Sequence, residues 1–193
     1  MLAFSSGFKQ PAPPLIKPDF SADFVQHKWD ETLSHIMTGY IRNSPAKNTV
    51  RVHEVFDDAL ASSLFDYSNA TADGLVDNTL TTYRDNATQP DVWRGYVNSN
   101  YPLFAADMLR KTGAVFGGLV ERRFTDGRVA AVSAPATSVE PGGEVLTEQW
   151  NIMYQSVIPV TVYVSSCGVV VGYDYFSPGR RTRVVTELFN IRA

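Results

Sequence analysis

The C-terminal segment, residues 144–191, places β-branched and aromatic side chains between closely spaced turn signals. It contains EVLTEQWNIMYQ, VIPVTVYVSS, VVVGYDYF and RTRVVTELFNI, and the turn-like CG and SPGR lie between the last three of these stretches. Runs of Val, Ile, Tyr and Phe bounded by short turns are typical of strands, and strands with short connections pair antiparallel. The segment therefore predicts a meander of successive antiparallel strands.

Residues 20–56 also predict strands, because apolar and polar residues alternate along them. In TLSHIMTGYIRN, His35, Met37 and Ile41 share one side, whereas Ile36 and Tyr40 point the other way. Side chains alternate between the two faces of a strand, so this period indicates a strand with one buried face.

The next strand, NTVRVHEVF, alternates more cleanly. Val50 and Val52 face one side, and Arg51, His53 and Val55 face the other. Further along, residues 59–67 fit either a strand or a helical turn. Residues 79–83 fit a short strand, and the polar stretch RDNATQPDVWRGYVNSNYP fits a loop.

One segment, YPLFAADMLRKTG, predicts a helix. Pro102 lies near its start, Gly113 follows its end, and Arg110 and Lys111 occupy its last turn. One short helix covers only part of one face of a large sheet. In the strands, the glycines at 117–118 and 172 and Pro159 predict bulges or edges, which let a sheet curl.

These elements predict a mainly β protein: a strongly curved antiparallel meander sheet, or half-barrel, with one or two covering helices. We expect a single domain over residues 20–193, preceded by a proline-rich arm over residues 1–19. Pro11, Pro13, Pro14 and Pro18 make this arm polyproline-like and mobile by itself. An ordered arm would have to lie on this domain or on a protein partner.

Composition excludes several classes of protein. The net charge is −3, from 17 basic and 20 acidic residues, which argues against nucleic-acid binding. No apolar run is long enough for a transmembrane helix. Cys167 is the one cysteine, so no internal disulfide can form. Two Asn-Ala-Thr sequons, at Asn69 and Asn86, favour a lumenal or secreted location, but the absence of a clear signal peptide leaves a cytoplasmic or organellar one open.

No known catalytic motif occurs, whether nucleophile elbow, phosphate loop or zinc-binding helix, and we predict no catalytic, metal or cofactor residue. If the protein were an enzyme, His35, His53 or Asp174 would be the candidate groups. Asp174 alternates with Tyr173 and Tyr175 and so faces away from them.

A wide apolar sheet with a small cover must bury its remaining face in some way. It can line a cavity for an apolar ligand, or bulky side chains can fill the space. The first alternative predicts non-enzymatic binding of a lipid-like or other hydrophobic small molecule. The predicted wall residues are those of the C-terminal meander: Trp150, Ile152, Tyr154, Val160, Val162, Val169, Val171, Tyr173 and Tyr175.

The order of segments resembles that of ependymin-related proteins. It runs from a strand ending near GYI through NTVRVHEVFDD and LFDYSN to a covering helix and a meander ending in FNI. These proteins are similar to the LolA/LppX half-barrels, and the resemblance implies a curved sheet, a helical lid and an apolar cavity. Ependymin-type proteins contain paired cysteines, whereas this chain differs from them in having Cys167 alone.

Three alternatives remain open. The protein could be a structural subunit that docks into a larger assembly through its arm. It could be an NTF2-like or cystatin-like cone acting as a small-molecule dehydratase or isomerase, although that fold places its helices before the long strands. It could also be a closed barrel of the calycin type.

Overall fold

The computed structural model describes residues 9–30, 34–56, 59–85, 87–123, 144–154 and 157–193. Within these ranges eleven strands form one sheet. They are β1 (Phe20–Trp29), β2 (Ser34–Ser44), β3 (Thr49–Phe56), β4 (Ala59–Ala70), β5 (Val76–Arg84), β6 (Asp91–Val97), β7 (Val115–Arg123), β8 (Glu144–Tyr154), β9 (Ile158–Ser165), β10 (Val170–Ser177) and β11 (Thr182–Arg192).

The sheet consists of two meanders joined at its middle. The strand order is β6-β5-β4-β3-β2-β1-β11-β10-β9-β8-β7, and all neighbours pair antiparallel. The sheet is curved and does not close, because β6 and β7 form its two edges. The predicted half-barrel class is therefore confirmed, and the closed-barrel alternative is wrong.

The predicted faces of the strands are also confirmed. Val50 and Val52 are buried on the concave face, whereas Arg51 and Val55 are exposed on the convex one. On β2, Ile41 is buried opposite Val52. The concave face thus holds the core, as the alternation of apolar residues requires.

Register shifts occur at the predicted glycines. One lies between Phe116 and Gly118, where Gly118 has a φ of 127°, and another lies between Val170 and Gly172. Pro159 belongs to the interior strand β9 but lies beyond the last residue that pairs with β10. Its missing N–H therefore costs no hydrogen bond on that side.

The predicted helix over residues 101–113 is much shorter in the structure. Only α1 (Met108–Lys111) is helical, and the preceding Phe104 is not. The Asn43 side chain accepts a hydrogen bond from the Phe104 N–H at 3.1 Å and donates one to the Phe104 C=O at 2.9 Å. These two backbone groups therefore cannot form the hydrogen bonds of a helix. The predicted end is correct: Gly113 has a φ of 63° and follows the helical turn.

The predicted loop over residues 84–102 contains a strand, β6. It pairs with β5 from Val76–Val97 to Thr82–Asp91. It contains the strand formers Val92, Trp93 and Tyr96, but these side chains are exposed and lie in an otherwise polar stretch of sequence. The backbone of β6 pairs with the otherwise free edge of β5. The sequence TDG at residues 125–127 predicts a hairpin turn, and the adjacent aspartates at residues 57–58 predict a turn, but both stretches lie outside the described residues.

Residues 98–114, here called the crossing segment, connect the two sheet edges over the concave face. Tyr101, Phe104 and Leu109 of this segment are almost completely buried. The Phe104 ring lies 6.0 Å from Phe20 and 5.5 Å from Tyr173, centroid to centroid. Side chains of the crossing segment therefore fill the centre of the half-barrel.

Candidate functional site

An open cleft of about 1090 Å³ lies at one end of the half-barrel, where the crossing segment begins. Residues 154, 157 and 158, together with the β10–β11 turn, form its other sides. Its described lining combines apolar and polar groups: Tyr154, Val157, Ile158, Tyr175, Pro178, Gly179, Lys28, Asp30, Asn98, Ser99, Asn100, Ser177 and Thr182.

The cleft continues inward into a small apolar recess. The two spaces share Ser99, Asn100, Tyr154, Ile158 and Tyr175, so they form one site. The recess has a volume of about 30 Å³, which is space for roughly one or two water molecules. Its deeper walls are Pro102, Met108, Ile152, Val160 and Tyr173.

The structure divides the nine predicted wall residues into two groups. Five of them line the cleft or its recess: Ile152, Tyr154, Val160, Tyr173 and Tyr175. The other four are packed into the core: Trp150, Val162, Val169 and Val171. The difference follows position along the strands, because the core group lies farther from the open end. Trp150 is completely buried and its indole N–H donates to Glu148 at 3.0 Å.

Tyrosine hydroxyls tie the cleft wall to the crossing segment. Tyr175 donates to Asn100 Oδ1 at 2.8 Å, and Tyr173 donates to the Asn100 carbonyl at 3.2 Å. Burial raises the pKa of Tyr173 well above its ordinary value, and burial also raises the pKa of Tyr154. Both phenols therefore stay protonated at neutral pH and can act as hydrogen-bond donors.

A small charged cluster lies at the mouth of the cleft. Lys28 Nζ lies 3.3 Å from Asp30 Oδ2, and His35 Nε2 lies 3.4 Å from the same oxygen. The Thr182 hydroxyl donates to Asp30 Oδ1 at 2.7 Å. The hydrogen bond from Thr182 and the charge of Lys28 lower the pKa of Asp30, so Asp30 is ionised at neutral pH.

The three candidate catalytic groups do not come together. His35 lies at the mouth beside Asp30, but His53 and Asp174 are on the convex face. There His53 contacts the Tyr40 ring, and Asp174 accepts a hydrogen bond from Tyr163 at 2.8 Å. No cluster of three or more potential metal ligands occurs among the described residues.

The polar half of the site has no signature in the sequence. Asn98, Ser99 and Asn100 belong to a stretch predicted only as loop. Lys28 lies near the end of β1 and Asp30 follows β1, and neither belongs to a motif. No local signal could have found them, since Asp30 meets Thr182 across 152 positions of sequence.

The described part of the arm, residues 9–19, lies on its own domain. Ile16 is 3% exposed, and its N–H donates to the Ala106 carbonyl at 3.0 Å. Lys17 N–H donates to the Gly168 carbonyl at 2.8 Å, and Arg110 Nε donates to the Pro13 carbonyl at 2.9 Å. These contacts do not show docking to a protein partner through the arm, and that hypothesis stays a prediction.

Comparisons with known proteins give similarities to solved structures. No protein-family model and no curated protein matches the sequence. A solved structure of a DUF1329 family protein from Desulfovibrio piger is similar over 91% of this chain and 85% of its own, with 8% identity and a TM-score of 0.38. A similarity of this degree assigns neither a family nor a ligand, and the ependymin-related resemblance stays a prediction. Among the described residues, no helix has the length and apolar character needed to cross a bilayer.

Proposed function

We propose that the protein binds an amphipathic, mainly apolar small molecule in the cleft, without chemical conversion of it. The observation that supports this is the continuity of an apolar wall with a polar mouth in one open space of about 1090 Å³. Concave, largely apolar sites with a few placed polar groups are the usual form of small-molecule sites.

The apolar part of the ligand would lie along Tyr154, Ile158 and Tyr175, which border both the cleft and the recess. Each methylene removed from water there contributes about 0.8 kcal/mol to binding. The recess itself is too small for a chain. Deeper insertion would require Met108 to change rotamer, and an unbranched thioether side chain does this readily.

Binding of a neutral fluorescent apolar probe, phenylnaphthylamine, tests the proposal, together with native mass spectrometry of the purified protein. We expect saturable fluorescence enhancement by the wild type, and weaker binding by Tyr154→Ala. The matched control is Met153→Ala, because Met153 is the adjacent residue of β8 and is 53% exposed on the convex face.

A bulkier side chain gives the complementary test. Ile158→Trp should occupy the cleft wall and reduce probe binding, while Val115→Trp, at a 53% exposed position on β7, should not. Absence of saturable binding by the wild type, or equal loss in the cleft and control variants, would refute the proposal.

A further inference from the structure

The charges at the cleft mouth cancel. Of the described residues that line the cleft, only Lys28 and Asp30 are charged, and their side chains lie 3.3 Å apart. Thr182 donates to the second Asp30 oxygen at 2.7 Å. The remaining polar lining, including Asn98, Asn100 and Ser177, is uncharged. The mouth thus offers hydrogen-bonding groups but no uncompensated positive charge.

From this balance we infer that the ligand has an uncharged hydroxyl-bearing head group, as in a fatty alcohol or a monoacylglycerol, rather than a carboxylate. The inference rests on the proposed function and names the ligand class for the same cleft. The inference depends on which head group can bind beside the Lys28–Asp30 ion pair without breaking it.

A carboxylate in the mouth would lie near the Asp30 carboxylate and would have to compete with it for Lys28. Like charges at short range repel, and a charge removed from water without its own partner is costly. A hydroxyl avoids both costs, because it can donate to a carboxylate and accept from an ammonium group. Asp30 therefore selects against acids, while an alcohol leaves the ion pair intact.

His35 is the third titratable group at this point, and its Nε2 lies 3.4 Å from Asp30 Oδ2. A protonated imidazole would add a positive charge and weaken the selection. The test is therefore performed at about pH 8, where an ordinary histidine is neutral.

Competition between dodecanol and dodecanoate for bound phenylnaphthylamine tests the inference. The two ligands share the same chain and differ in the head group. We expect the wild type to bind the alcohol about tenfold more tightly than the acid, the difference that about 1.4 kcal/mol produces. Asp30→Asn should raise the affinity for the acid about tenfold and so remove the preference for the alcohol over the acid.

A second variant covers the case in which Asp30→Asn fails to fold. Lys28→Met leaves Thr182 with Asp30 but removes the cation, so it should weaken acid binding further and increase the preference for the alcohol over the acid. The control is Asp91→Asn, which removes a carboxylate that is 78% exposed in an ion pair on β6 and should change neither affinity.

Wild-type protein that binds the acid at least as tightly as the alcohol would overturn this inference and leave the proposed function intact. The same holds if both cleft variants bind the acid as the wild type does. Failure of the wild type to bind the probe or either ligand would instead overturn the proposed function, and this inference with it.

Discussion

The side-chain amide of Asn43 binds both backbone polar groups of Phe104, accepting from its N–H at 3.1 Å and donating to its carbonyl at 2.9 Å. Asn43 lies on the concave face of β2 and is 1% exposed. The same amide also donates to the Pro18 carbonyl. One buried side chain therefore connects the sheet, the crossing segment and the arm.

Asn43→Ala should destabilise the protein strongly. The substitution leaves the N–H and carbonyl of Phe104 buried without these partners, and each such group costs about 1–3 kcal/mol. We expect a loss of about 2–4 kcal/mol in the free energy of unfolding, measured by chemical denaturation. Asn98→Ala, at an exposed position of the crossing segment, is the control and should change stability little. Equal effects of the two substitutions would contradict the role assigned to Asn43.

Gly39 is required by packing in the middle of β2. It lies opposite Phe24 on β1 and opposite Glu54 on β3. A Cβ at this position would clash with the His53 carbonyl oxygen and lie 2.8 Å from the Phe24 ring. Gly39→Ala should therefore cost about 1–3 kcal/mol, as overpacking does.

The control for Gly39 is Gly179→Ala in the β10–β11 turn, where a Cβ meets nothing within 4 Å. We expect its thermal midpoint to stay near that of the wild type. A tolerated Gly39→Ala would show that β1 and β3 move apart easily.

The Asp77–Arg94 pair should make the stability of the protein depend on pH in the acid range. Asp77 is 5% exposed and bonds Arg94 through two contacts, at 3.1 and 2.6 Å. The hydrogen bonds from Arg94 hold the pKa of Asp77 below its ordinary value of 3.8. The ionised form is thus favoured by folding. Its contribution is complete above about pH 4 and is lost as the pH falls through the lowered folded-state pKa.

Thermal midpoints of the wild type and Asp77→Asn across an acid series would measure this dependence. The variant should be less stable at neutral pH and should lose less stability on acidification. Asp91→Asn is the matched control, because the Arg84–Asp91 pair is 3.9 Å apart and 67% and 78% exposed. Such exposed pairs contribute about 0–1 kcal/mol. Parallel acid profiles for wild type and Asp77→Asn would contradict the prediction.

The arm should contribute to stability through Ile16. Its side chain is 3% exposed, whereas the adjacent Leu15 is 53% exposed. Ile16→Ala should cost about 2–4 kcal/mol, as buried aliphatic truncations do, and should expose the arm to limited proteolysis. Leu15→Ala should stay within about 0.5 kcal/mol of the wild type. Indistinguishable effects of the two substitutions would mean that the arm is not held by its contacts in the core.

Alternation along single strands is encoded locally in the sequence. The pattern predicts Val50 and Val52 on one face and Arg51 on the other, and the structure buries the first two and exposes the third. Side-chain direction in a strand has a period of two, so no distant residue is needed to predict it. The bulges near Gly118 and Gly172 are likewise predicted from the neighbouring sequence alone, because a glycine within a strand marks them.

The two wrong element predictions have distant causes. The crossing segment has helix-forming residues, but the side chain of Asn43, 61 positions earlier, hydrogen-bonds to the backbone N–H and C=O of Phe104. Strand β6 contains Val92, Trp93 and Tyr96 but lies in a polar, proline-bounded stretch that predicts a loop, and it forms a strand because it completes the hydrogen bonding of β5. In both cases burial or pairing with another element outweighs local propensity.

The sequence by itself determined most of the strands, their inward faces and the excess of apolar sheet over helix. Only the tertiary structure decided that β1 pairs with β11, which side chains fill the half-barrel and where open space remains. Asp30 and Thr182 illustrate the reason, since 152 positions separate two side chains that meet at the cleft. Periodicity reports which way a side chain points, whereas a cavity depends on how distant segments compete to fill the same volume.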